Sequence, residues 1–295
     1  MKSEIRNPQS AIRNSFPIGI FDSGVGGLTV YRALHARLPD EHFVYLGDTA
    51  RVPYGTKSLS TVERYAIENA KFLEAHGIKL LVVACNTASA LALPAIRAAV
   101  GVPVVGVIGP GARSAAKAAA GRKIAVIATE ATVHSRAYVD AISKVTPGTA
   151  VIERACPLFV PLSEEGWADT DAARLVAEQY LKDLRNEDLG ALVLGCTHYP
   201  ILRNLIRDVV GGDVPLIDSG EAASAEVQVL LKSSELAAPE SISQSVERQL
   251  CDDLDHFYVT DAAERFAKVA ERFLGVAPSV LEAVEVWGHD ELRTY

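Results

Sequence analysis

The stretch IKLLVVACNTASALALPAIRAA, residues 78–99, decides the fold. It opens on a Leu- and Val-rich run interrupted only by Lys79, the pattern of a strand covered on both faces. After Cys85 come Asn86, Thr87 and Ser89, all helix-capping residue types, and a helical pattern over Ala88–Val100. A buried strand thus ends, and a helix begins, at a cysteine. Free N–H groups at such a helix start favour the thiolate, the reactive form of the thiol.

Outward from this point the pattern repeats. PIGIF (17–21), HFVYLG (42–47), VPVVGVI (102–108), KIAVIAT (123–129), ALVLGC (191–196) and VPLID (214–218) read as further strands. Helical patterns lie at Ser60–His76, Thr170–Leu184 and Ile201–Val210. This alternation predicts an α/β protein with open parallel sheets. An internal echo points to pseudo-symmetric halves: IFDSG (20–24) matches LIDSG (216–220), and LVVACNT (81–87) matches ALVLGCT (191–197). Each half presents a cysteine at the carboxyl end of its sheet, where open α/β sheets bind ligands. Breaks are expected at Gly109–Gly111 and in GGDVP around Gly211. The segment from about Ser219 is expected to pack back onto the first half. The division is then 1–16 as an extension, 17–110 plus 218–295 as one domain, and 111–217 as the other.

Composition limits the function. The chain has 295 residues, enough for two domains, and a net charge of −8, which disfavours a broad polyanion-binding surface. No apolar run approaches a membrane span, and MKSEIRNPQSAIRNSF (1–16) carries no apolar export core. These features predict a cytoplasmic protein that engages neither membrane nor nucleic acid, with a mobile N-terminal extension. The four cysteines, at 85, 156, 196 and 251, form no CxxC pair, so no zinc ribbon is expected. Neither metal nor pyridoxal phosphate is expected.

The cysteines divide two and two. Cys196 repeats the placement of Cys85, with Thr197, His198, Tyr199 and Pro200 near a first helical turn and His198 as a proton relay. Cys156, in ERACPLFVPL, reads as packing, and Cys251, in QLCDDLD, as a surface thiol whose acidic neighbours disfavour the thiolate. DSGVGG (22–27) fits neither GxGxxG nor a P-loop. It suits amide donors around a carboxylate, with Asp22 free for proton transfer or for an ammonium group, while a tight turn accounts for Gly26 and Gly27. GDTARVPYG (47–55) reads as an ordered loop rather than a helix. A hydrolase using Cys196–His198 leaves Cys85 unexplained, and an acidic-amino-acid binding protein needs neither thiol.

Taken together, GIFDSGVGGLTV, YLGDTARVPYG, VVACNTASA, CPLFVPLSEEG, VLGCTHYP and IDSG resemble the glutamate racemases of the aspartate/glutamate racemase superfamily, in order and over about residues 17–220. FYVTDAAERF (257–266) resembles the family's C-terminal region. The resemblance implies two α/β domains around a central cleft, commonly a homodimer, and cofactor-independent interconversion of L- and D-glutamate for peptidoglycan. It implies Cys85 and Cys196 as the two acid/bases, on the D- and L-sides respectively, assisted by Asp22 and His198. Asp22, Ser23, Tyr54, Gly55, Asn86, Thr87, Thr197 and His198 would hold substrate. Glu164 would be the auxiliary carboxylate, with Glu165 the alternative. Gly109 stands where the family often has Glu.

Overall fold

The computed structural model describes residues 14–238 and 248–287. Ten strands form two parallel sheets: β1 (Ile18–Asp22), β2 (Phe43–Gly47), β3 (Leu80–Val83), β4 (Val104–Gly106), β5 (Lys123–Ala128), β6 (Val151–Ala155), β7 (Leu189–Gly195), β8 (Leu216–Asp218), β9 (His256–Val259) and β10 (Val280–Ala283). The first sheet has the order β10-β9-β2-β1-β3-β4 and the second β6-β5-β7-β8. The helices are α1 (Leu28–Arg37), α2 (Leu59–Ala75), α3 (Asn86–Leu91), α4 (Leu93–Ala99), α5 (Ile108–Ala119), α6 (Glu130–His134), α7 (Ala137–Val145), α8 (Phe159–Glu164), α9 (Asp171–Leu181), α10 (Arg203–Val210), α11 (Ser219–Ser233) and α12 (Ala263–Leu274). No helix among the described residues is long and apolar enough to cross a membrane.

Continuous apolar runs become central strands because both sheet faces are covered. In β1, Ile18 and Ile20 enter one hydrophobic layer and Phe21 the opposite one. Leu80 and Val82 of β3 follow the first pair, and Leu81 and Val83 the second. The second sheet repeats this: Leu192 and Leu194 of β7 face one layer, Ala191 and Val193 the other. In-phase registers bring the strand ends level, with Asp22 opposite Gly47 in the first sheet, and Ala128 opposite both Ala155 and Gly195 in the second.

The echo between the halves extends to hydrogen bonds. Asp22 Oδ2 accepts from Gly24 N–H at 2.9 Å, and Asp218 Oδ1 accepts from Gly220 N–H at 2.8 Å. After β8 the chain returns through α11, and β9 and β10 extend the first sheet beside β2.

Several expectations change. Ala88–Val100 is two helices meeting at Ala92, because Pro94 has no N–H to continue the first and suits the opening turn of the second. Gly109–Gly111, between β4 of the first sheet and β5 of the second, is helical: it lies in the opening turns of α5, where Pro110 needs no hydrogen bond. The segment at Gly211 turns between α10 and β8, inside the second sheet. GDTARVPYG holds two short 3-10 turns, Thr49–Arg51 and Tyr54–Thr56. Cys251 is not a surface thiol but is 1% exposed and packs in the core of the first half. Its acidic neighbours are turned onto partners: Asp252 onto Arg248, and Asp255 onto Arg248, Tyr31 and Phe43 N–H. Of the N-terminal extension, residues 1–13 lie outside the described residues, and Asn14 accepts a hydrogen bond from Lys79 at 2.7 Å.

Candidate active site

A cavity of about 290 Å³ opens between the carboxyl edges of the two sheets. Both Cys85 and Cys196 line it, with Ser23, Tyr54, Gly55, Asn86, Thr87, Glu164, Thr197 and His198. Every one of these follows a strand or sits on a short helix at that edge, as the level strand ends require.

Cys85 caps α3. Its thiol accepts from Ala88 N–H at 3.5 Å and donates to Ser23 Oγ at 3.4 Å. The expected helix-start preference for a thiolate is overridden: burial, reinforced by the Asp22 charge, pushes the thiol up to about 12, so Cys85 rests protonated. Cys196 is not at an α-helix start. A turn follows β7, then a 3-10 helix at Tyr199–Leu202, and α10 begins only at Arg203. Its partner is a side chain instead, His198 Nδ1, 3.7 Å from the sulfur.

The other His198 nitrogen, Nε2, lies 3.1 Å from Glu164 Oε1. Burial opposes the imidazolium, but Cys196 and Glu164 outweigh it and push His198 up to about 10. The imidazolium in turn holds the Glu164 carboxyl below its ordinary value, aided by Arg265, although burial acts the other way. Glu165 is exposed and pairs with Arg265, and of the acidic pair it is Glu164 that lines the cavity.

Asp22 is fully buried behind the wall formed by Ser23 and Gly24, outside the cavity lining. Among the described residues its Oδ1 has no hydrogen-bond partner. Burial raises its carboxyl, partly offset by His198. Tyr54 lines the cavity, but its hydroxyl is occupied by Asp48 and by Asn69, at 3.1 Å from the latter. Asn86 is fixed from the second half, with Tyr138 donating to its Oδ1 at 2.8 Å. Thr87 joins Thr129 and Thr132 in a hydroxyl cluster at 3.0 and 3.3 Å.

Sequence reasoning missed Thr129, Glu130, Pro157, Val160 and Pro161 in the lining. Thr129 and Glu130 directly follow KIAVIAT, so the strand-end rule applied to β5 would have found them. Among the described lining residues none is Lys or Arg. The cavity therefore offers an acidic ligand neutral donors and one imidazolium.

The sequence that builds these two parallel-sheet domains matches a known family. The Asp/Glu/Hydantoin racemase model matches residues 18–227, and the chain belongs to that family. Within it, similar proteins are glutamate racemases. That of Geobacter metallireducens is 50% identical over 258 residues, covering 88% of this chain and 92% of the relative. That of Syntrophus aciditrophicus is 46% identical, covering 92% and 97%. Among solved structures, glutamate racemase from Francisella tularensis in complex with D-glutamate has a TM-score of 0.82 at 38% identity, covering 92% of this chain and 98% of that one. The Thermus thermophilus glutamate racemase in complex with beta-chloro-D-alanine has a TM-score of 0.80 at 45% identity, with the same coverage.

Proposed function

We propose that the chain interconverts L- and D-glutamate without a cofactor, using Cys85 and Cys196 as opposed acid/bases. The observation that carries this reading is that the two cysteines of the echoed strand ends, and neither of the other two, line one cavity. Racemisation removes the α-proton from one face and returns a proton to the other, which one fixed base reaches poorly. Cys85, resting as a thiol, is the loaded donor; the Cα–H proton passes to the Cys196 thiolate while the Cys85 S–H proton passes to the opposite face of Cα. The roles then reverse for the other enantiomer, Cys85 serving the D-side and Cys196 the L-side.

The carbanion-like transition state needs preorganised donors and exclusion of water. Ser23, Asn86, Thr87, Thr197 and backbone N–H groups around Gly55 hold the substrate carboxylates. His198 exchanges a proton with Cys196 and is itself oriented by Glu164. Asp22 acts from behind the wall, its charge bearing on Cys85 and His198. The domains comprise 17–110 with 218–295, and 111–217. The protein works in the cytoplasm, as a homodimer, supplying D-glutamate for peptidoglycan.

The test is isotopic. In deuterium oxide, D-glutamate formed from L-glutamate acquires solvent deuterium at Cα from the first turnovers, while recovered L-glutamate stays largely protiated at low conversion. Proton NMR of the α-position reads both. Retention of the original α-hydrogen in the product excludes opposed thiols, and absence of any D-glutamate excludes the activity.

A further inference from the structure

Helix α12 follows a strand of the first sheet, yet its side chains reach the second half at the cavity wall. Arg265 lies 3.4 Å from Glu164 Oε2 and 3.6 Å from Glu165 Oε1. Two helical turns on, Arg272 donates to the backbone carbonyl of Glu164. Its side chain runs over Gly166, where an added Cβ would meet Arg272 Cδ at 2.8 Å. The next residue, Phe273, sets its ring edge-on to the His198 imidazole at 6.0 Å. A spacing of seven residues places both arginines on one stripe of the helix.

The Glu164 carboxylate is therefore shared. Oε1 faces His198 and Oε2 faces Arg265, while the carbonyl of the same residue is held by Arg272. A Glu side chain left to itself samples several rotamers, and ordering it costs conformational entropy. Fixing its carboxylate from both sides and its backbone from the same helix removes much of that freedom.

We infer that Arg265 and Arg272 form a clasp across the cleft which positions Glu164 against His198 when the two halves are closed. They are positioning residues acting through Glu164, and the inference rests on the roles proposed above for Glu164 and His198. The arginine end of the clasp is exposed, Arg265 to 66% of its side chain, and exposed ion pairs are weak. Weakness suits the position, since the same contacts must part whenever the halves separate to admit substrate or release product.

A double-mutant cycle tests this on the full chain, with racemisation of glutamate as the readout. Arg265→Gln lowers kcat/KM about three- to five-fold, the range an exposed pair supports, with the thermal midpoint unchanged. Arg265→Lys recovers most of the loss. In a Glu164→Gln background, Arg265→Gln has almost no further effect, because the group it acts through is gone. In an Arg272→Gln background its effect also shrinks, because the turn carrying Glu164 is no longer held. Equal losses from Arg265→Gln in the wild-type and Glu164→Gln backgrounds overturn the inference, as does no loss in the wild type. Wild-type activity in Glu164→Gln itself strikes instead at the role proposed for that carboxylate.

Discussion

Gly26→Ala isolates the packing that aims His198. The sequence suggests that Gly26 serves a tight turn, but neither Gly26 nor Gly27 is among the glycines with positive φ. What Gly26 provides is room: an added Cβ would lie 2.3 Å from Thr197 Oγ1 and 2.5 Å from both Cε1 and Nδ1 of His198. Real Cβ contacts are rarely closer than 3.4 Å, so either the first half or the imidazole must retreat by about 1 Å. The ring is tied to Cys196 and Glu164, and Thr197 is anchored through its carbonyl by Thr29 at 2.8 Å. Overpacking of this kind costs about 1–3 kcal/mol, and a misplacement of about 1 Å at a reacting group costs on the order of 100-fold in rate. Gly26→Ala is therefore expected to lower kcat/KM about 100-fold while lowering the thermal midpoint by about 2–4 °C per kcal/mol. Polarimetry on L-glutamate and calorimetry measure the two effects. Gly212→Ala, at a glycine with nothing within 4 Å and no positive φ, is the control and should leave both unchanged. Full activity with an unshifted midpoint in Gly26→Ala would show that this wall does not aim His198.

Cys85→Ala and Cys196→Ala should each abolish racemisation, by at least about 1,000-fold, with circular dichroism unchanged; appreciable activity in either removes the two-thiol mechanism. Cys251→Ser should cost about 1–3 kcal/mol in denaturant unfolding, since it puts a hydroxyl into an apolar core site, and leave activity intact. A silent Cys251→Ser would contradict that burial. Finally, the His198 imidazolium, pushed up to about 10 from 6.5, stabilises the fold fully below about pH 6.5 and loses that contribution as pH rises through about 10. The gap in thermal midpoint between wild type and Glu164→Gln should therefore be widest at about pH 6, narrow as pH rises beyond about 6.5 and close above about pH 10; a constant gap refutes the ion pair.

The central strands were legible because burial on both faces leaves continuous apolar runs, as in IKLLVV and ALVLG. Three strands left no such mark. β6, with Glu153 and Arg154 in VIERA, is an edge strand, half-buried throughout, and β9 and β10 lie at the far edge of the first sheet. Missing β6 also hid Pro157, Val160 and Pro161, which line the cavity beyond that strand. Both thiols were legible from the echoed strand ends, but their surroundings were not. Helix-start reasoning uses local sequence, whereas the proton affinity of Cys85 is set by its depth and by Asp22, 63 positions away. The partners of Glu164 on α12 are about 100 positions away and carry no local signal.

The two halves repeat their strand ends but not the chemistry around each sulfur. Cys85 has a hydroxyl, a backbone N–H and a buried carboxylate behind it; Cys196 has an imidazolium braced by Glu164. For an interconversion of mirror images the equilibrium constant is one, so kcat/KM must be equal in the two directions whatever the environments are. The asymmetry can therefore act only within that equality, by dividing it differently between kcat and KM. On the proposed mechanism, a Cys85 that burial keeps protonated is expected to favour binding the enantiomer whose α-proton faces Cys196. It lowers both KM and kcat in that direction relative to the other. Unequal KM values with equal kcat/KM for the two enantiomers are therefore the expected kinetic mark of the difference between the halves, and equal KM values would show that the surroundings of Cys85 and Cys196 do not distinguish the enantiomers.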